Sequence, residues 1–579
     1  MGGRISRWAS HSFYQPGRRH HGIRAAVFRS TKTPERKAPM IKPLNDYLEQ
    51  YLREYLKLSP ILGSHLGLPE YDGMMPKDGR EGMEERLQLL KSTKAELDSL
   101  DREKLSDDEA IDVQAMTQTL EEQIWGDREL PFIHSFPEGA HTVSSALYLI
   151  FSRDYMPIAE RLEKLSLRLS EVPAYLLRSR ELIDDPVRLW VKTDLMASAH
   201  IPSFIDTIER AAVESGFGAH SPLSEKCRKA KEAIAEHEKW LEQDLMPRSR
   251  ENFAIGKENF EGILDRKHLS ISSSELLELG DYYLHTTRER IADIAARIDN
   301  SLSYEEIKDR IRSKHPSSFD EVLEFCRGAM QRARKYVIDS GFADVPPDEE
   351  LLVKETPELF RHHTPLAAYF PPGKFQRPQR GVYIVTRTDD AEVMKDFNYT
   401  ALFNKSIHEA YPGHHLQFVC CNRHPSFGRI LTGGAEFTEG WAHYCEDFVA
   451  QNGFPEDLEL QFTMCLELIW KACRIIIDVK LSCGDMTPEE AVKMLMDVAS
   501  FTRPSASAEV QRYTYTPTYQ LSYLYGKHLI MEMKKDFAEK FGSAFNLREF
   551  HNLMLHSGNL PLNIMRKLIE SHFSKAAVK

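Results

Sequence analysis

The chain has 579 residues, 28% of them charged, and a formal net charge of −12. That length exceeds one ordinary hydrophobic core, so more than one lobe is expected. The acidic balance argues against a nucleic-acid surface, and no apolar run reaches the eighteen or so residues of a membrane-spanning helix.

Residues 1–39 stand apart. Nine basic residues from Arg4 to Lys37 face one acid, Glu35. A basic, acid-poor leader reads either as a mitochondrial transit peptide or as an unstructured extension ahead of a start at Met40. The eight cysteines are scattered and form no Cys-x-x-Cys pair. They read as reduced, buried thiols of a reducing compartment, not as zinc ligands. The expected location is cytoplasmic, or mitochondrial if the leader is a transit peptide.

The folded body is expected from residue 41. Leu44, Tyr47, Leu48, Tyr51, Leu52, Tyr55 and Leu56 recur at helical spacing. Further helical patterns cover Glu84 to Leu100, Asp108 to Trp125, Met156 to Leu169 and Glu225 to Leu245. Pro- and Gly-containing breaks separate them, and no fixed-period repeat is present. One β-branched, aromatic run, Gly381–Arg387, is extended. It reads as a structural hairpin, or as an edge strand to which an extended peptide adds. A helix from about Leu458 to Leu481 is apolar nearly all round, so Lys471, Arg474 and Asp478 on it stand out.

Between these lies Ser-Ile-His408-Glu409-Ala-Tyr-Pro412-Gly413-His414-His415-Leu-Gln. Two imidazoles and a carboxylate so close are the raw material of a zinc hydrolase. In His-Glu-x-x-His the two histidines share a helical face one turn apart. Here Pro412 occupies the second position. Pro412 cannot donate an N–H, and Gly413 adds freedom, so a bulge that loops out two residues brings His414 into the second ligand position. His414 is therefore preferred to His415, which is left to support the ligands or to face substrate. A third ligand is expected from Glu436-Phe-Thr-Glu439-Gly-Trp441-Ala-His443-Tyr-Cys-Glu446, where Glu436, Glu439, His443 and Glu446 share a helical face. Glu439 is the expected ligand, with His443 or Glu446 orienting a ligand from behind. Glu409 is the expected general base toward a zinc-activated water. Tyr515 is the expected oxyanion donor, with Tyr513 or Tyr523 as alternates. Arg512, beside them, is expected near substrate.

These motifs, with Tyr515-x-Pro-x-x-Gln, Phe550-His551 and Gly558-x-Leu-Pro561-Leu, together resemble the domain-of-unknown-function family 885 over about residues 41–575. More distantly, the chain is similar to the thermostable carboxypeptidases and to angiotensin-converting enzyme-type zinc peptidases. The resemblance implies a mostly α, two-lobed, zincin-like fold around a deep channel, with a small β-sheet or hairpin near residues 381–388. It implies an N-terminal helical lobe at 41–370 and a catalytic lobe at 371–579, behind the leader at 1–40 that composition marks as disordered. One departure is Ser482, where the family often has a His.

The expected function is a zinc metallopeptidase with one ion, acting on a peptide or small amide, with no nucleic-acid or membrane partner. The alternatives are a hydrolase of a non-peptide amide or specialised metabolite, or a catalytically silent helical scaffold.

Overall fold

Capped helices build most of the molecule. The computed structural model describes residues 42–153, 156–217, 222–356, 366–454 and 457–577. The basic leader at 1–40 lies outside them. Ser106, Ser272 and Ser303 each open a helix by accepting the N–H of a glutamate three residues on, whose carboxylate accepts the serine N–H in return. The expected helical patterns appear as Lys42–Leu58, Arg80–Asp98, Asp107–Glu129, Ile158–Ser179 and Leu223–Trp240. Helix makes up 72% and strand 4%, which is the mostly α class with a small sheet. No helix among the described residues is long and apolar enough to cross a membrane.

The helix Leu458–Cys483 is the axis of the C-terminal half. Asp457 caps its start, accepting the N–H groups of Glu459 and Leu460, and Gly484 ends it at a left-handed φ of 88°. Helices Ser273–Asp299, Tyr399–Glu409, Pro488–Ala499 and Ser522–Phe541 pack around it. That encirclement explains its apolar circumference.

The sheet has the order β1-β3-β2, with β1 (Glu349–Glu355) parallel and β2 (Ala367–Phe370) antiparallel to β3 (Gln379–Val385). The extended run at Gly381 is therefore the central strand, forming the expected hairpin with β2 and not the edge strand offered as the alternative. From Val382 to Val385 it is paired on both sides, which leaves no free edge there for an added peptide. Tyr369, Tyr383 and Val385 join Ile407, Leu416 and Trp441 in one buried core, which fixes the sheet against the site.

Candidate metal centre

The helix Tyr399–Glu409 opens at Asn398, whose side chain accepts the Ala401 N–H at 3.0 Å. It stops at Glu409, and a new helix, His414–Cys421, begins. The expected bulge is thus a full break. The Gly413 N–H reaches back to the Ile407 carbonyl at 3.1 Å, and the Leu416 N–H to the Ala410 carbonyl at 3.3 Å. Both bonds span six residues where an α-helix spans four, so two residues are absorbed and His414 takes the ligand position. Gly413 is required by proximity. A Cβ there would lie 1.9 Å from the His408 carbonyl oxygen. The break is held from the next helix, Ala435–Gln451, where the Trp441 indole N–H donates to the Pro412 carbonyl at 2.9 Å.

The two imidazoles lie edge to face, with centroids 4.7 Å apart. Glu439 Oε2 is 3.8 Å from His408 Nε2 and 3.5 Å from His414 Nε2. Tetrahedral zinc with bonds of ~2.0 Å needs donors about 3.3 Å apart. The donor set fits that ion in chemistry, and both distances from Glu439 lie within about 0.5 Å of that spacing. The ligand-type atoms of Glu409 also lie within 4.8 Å of those of His408 and His414.

Each imidazole is anchored by its other nitrogen. His408 Nδ1 bonds Glu446 Oε1 at 2.6 Å, and His414 Nδ1 faces Gln417 Oε1 at 3.5 Å. Both rings therefore turn Nε2 toward Glu439. Glu446 also accepts from Asn404 at 3.2 Å and lies 3.3 Å from His443 Nδ1, so the carboxylate that holds the His408 ring is itself held in place. Burial opposes ionisation of Glu446, yet His443 and His408 hold its carboxyl well below the usual range. The same opposition is settled for Glu439 by His414 and His408, which hold it low as well. Burial pushes the His443 imidazole down to about 4.

Several expected roles are corrected. His415 is fully buried and turned toward the sheet. Its Nε2 bonds Glu349 Oε2 at 2.7 Å and its Nδ1 meets the Tyr369 hydroxyl at 3.0 Å. It faces no substrate. The tyrosine on the ligand set is Tyr519, not Tyr515. The Tyr519 hydroxyl donates to Glu439 Oε1 at 2.9 Å, whereas the Tyr515 ring packs on Phe136 with centroids 4.9 Å apart. Tyr513 is buried, its hydroxyl accepting from Arg474 Nε at 2.9 Å. Tyr523 is at the site, 3.4 Å from the Tyr519 hydroxyl and packed on His443. Arg512 pairs with Glu509 at 2.7 Å and sits over the Tyr519 ring. Glu436 pairs with Lys267 at 2.8 Å. Ser482 approaches Asp478 Oδ1 at 3.5 Å and not the ligands. Asp478 in turn accepts the Thr518 and Leu521 N–H groups at 3.0 and 3.1 Å, which fixes the turn carrying Tyr519.

Tyr519, Gln417, Asn404 and Glu349 are the participants that sequence reasoning missed. Gln417, one turn after His414, had a usable signal in its spacing. Glu349, on a distant strand, had none. A cavity of about 440 Å³ opens beside Glu439 and Tyr519, with Gln118 and Lys267 on the N-terminal side and Val382 on the sheet.

Residues 60–569 match DUF885, described as a bacterial protein of unknown function. The chain belongs to this family. Two solved structures share the DUF885 chain's fold. One is a proposed lipoprotein of unknown function from Shewanella oneidensis, 22% identical, with a TM-score of 0.77 over 90% of this chain and 99% of its own. The other is a proposed lipoprotein from Colwellia psychrerythraea, 16% identical, with a TM-score of 0.79 over 92% of this chain and 99% of its own. No curated protein matches the sequence. At these identities the likeness establishes the fold. The two descriptions name bacterial lipoproteins, a class of the cell envelope. They stand against the cytoplasmic or mitochondrial location expected from the leader and the thiols, and that expectation is withdrawn.

Proposed function

We propose that this DUF885 protein is a zinc-dependent hydrolase of peptide bonds, carboxypeptidase- or oligopeptidase-like. The observation that carries the reading is the convergence of His408 Nε2, His414 Nε2 and Glu439 Oε2, with Glu446 locking His408 from behind. These three residues would hold the ion. When bound, zinc supplies a water acidified to a pKa of ~7 and a polarised carbonyl.

The chain's own groups account for the rest. Glu409 ends its helix half-buried beside the ligands and makes no hydrogen bond to the described residues. Its carboxylate takes a proton from water and passes it to the leaving amine. Tyr519 orients Glu439 through the hydrogen bond to Oε1. Tyr523 offers its hydroxyl to the developing oxyanion. The order of a His-Glu helix followed by a helix bearing a ligand Glu is similar to that of the thermostable carboxypeptidases and angiotensin-converting enzyme.

The test is digestion of a peptide library by zinc-loaded protein, with Glu409→Gln in parallel. Cleavage that disappears in Glu409→Gln is expected. Equal cleavage by both proteins, or none by either, overturns the reading.

A further inference from the structure

Beside Glu409 lies a group of four cations that share few direct partners. Lys405 sits one turn before Glu409 on the same helix. Its ammonium makes no hydrogen bond and no ion pair within 4 Å among the described residues, and feels Glu467, then Glu409 and Glu446, only at longer range. Lys471 and Arg474, on the central helix, are 4% and 3% exposed. Lys471 pairs with Glu467 at 2.9 Å. Arg474 and Arg512 share the one carboxylate of Glu509, at 3.0 and 2.7 Å. Of the nearby carboxylates only Glu467 and Glu509 pair directly with these cations, while Glu409 and Glu446 act on Lys405 at longer range. Glu446 is engaged by His408 and His443.

Two further observations point to a ligand. Arg474 Nη1 is buried with no hydrogen-bond partner. The cluster also reaches solvent, since Glu467, Glu509 and Arg512 keep 32%, 25% and 23% exposure while Lys471 and Arg474 are buried. It adjoins the site through tyrosines. Arg474 lies 4.4 Å and Lys471 5.7 Å from the Tyr523 ring, and Arg512 5.9 Å from the Tyr519 ring. A buried charged donor left without a partner is strongly unfavourable. An anion supplied from outside, held by a guanidinium fork, completes this cluster.

We propose that Lys405, Lys471, Arg474 and Arg512 form a subsite for a carboxylate of the substrate, next to the hydrolytic centre. The substrate class is then a peptide or amide bearing a free carboxylate close to the bond that breaks, which is exopeptidase action from the carboxyl end. This rests on the reading of His408, His414 and Glu439 given above, and binding separates the two.

The experiment measures, by calorimetry, binding of a short N-acylated peptide acid and of its C-terminal amide to full-length Glu409→Gln protein loaded with zinc. The acid is expected to bind about tenfold tighter than the amide or better. Arg512→Gln and Lys405→Met, both at partly exposed positions, should remove that preference, and Arg512→Lys should restore part of it. Equal affinity for acid and amide, a preference that survives both substitutions, or failure of both peptides to bind overturns the subsite. A clear acid preference with no hydrolysis by the unsubstituted protein overturns the hydrolytic reading and leaves the subsite standing. Hydrolysis without the preference does the reverse.

Discussion

His414 and His415 are neighbours on one helix, and adjacent helical residues point about 100° apart, so one faces the ligands and the other cannot. His414→Ala should abolish stoichiometric zinc, read by metal analysis after dialysis. His415→Ala should keep the metal but cost about 1–3 kcal/mol of stability in denaturant unfolding, because Glu349 and Tyr369 lose a buried partner. Tyr519→Phe frees Glu439 Oε1 and should weaken zinc affinity or turnover by about tenfold to a hundredfold. Tyr515→Phe should change either far less. The meeting of His408, His414 and Glu439 was legible, because His408 and Glu439 lie on regular helices and Pro412-Gly413 declares the break before His414. Tyr519 was not. Tyr513, Tyr515, Tyr519 and Tyr523 all offered a hydroxyl, and the choice turns on a loop in which Thr518 adopts a left-handed φ of 64°. Spacing cannot foresee such a turn.

At the scale of elements, the centre depends on two helices that touch backbone to backbone. Helices Ala435–Gln451 and Ser522–Phe541 meet at Gly440 and Gly526. A Cβ on Gly526 would lie 2.0 Å from the Glu436 carbonyl oxygen, and one on Gly440 2.4 Å from the Gly526 carbonyl carbon. This closeness sets Tyr523 against His443, with ring centroids 5.6 Å apart. Gly526→Ala should push the helices apart, lowering stability by about 1–3 kcal/mol and weakening zinc binding in the same preparation. The sequence marks both glycines only as weak points of helices. Their partner is visible only once the pair is assembled. The sheet teaches the same lesson. The strand at Gly381 was legible from its β-branched residues, but its central place depends on β1, a strand of mixed charge whose pairing with β3 skips β2.

Across the whole molecule, buried histidines make stability respond to acid. His551 is fully buried, donating from Nδ1 to the Phe342 carbonyl at 2.9 Å and accepting from the Tyr444 hydroxyl at 2.7 Å. Burial pushes it down to about 3. The folded state keeps it neutral while the unfolded chain protonates near 6.5, so its contribution is complete above pH 6.5 and is lost as pH falls toward 3. Thermal unfolding should show the midpoint dropping across that window, with a shallower slope in His551→Phe. The overall helical class was legible because amphipathic periodicity is local. The arrangement of the segments was not, because it is set by contacts such as Gln118 with Asn563, which lie 445 residues apart.

The bond from Trp441 to Pro412 has a further consequence. It joins the segment of the two imidazoles to the helix of Glu439 using protein atoms alone. The frame of the centre is thus assembled by folding, so an ion bound there would be a passenger and not a keystone. Protein stripped with a chelator should keep its circular dichroism spectrum, lose activity, and recover it on one equivalent of zinc without passing through denaturant.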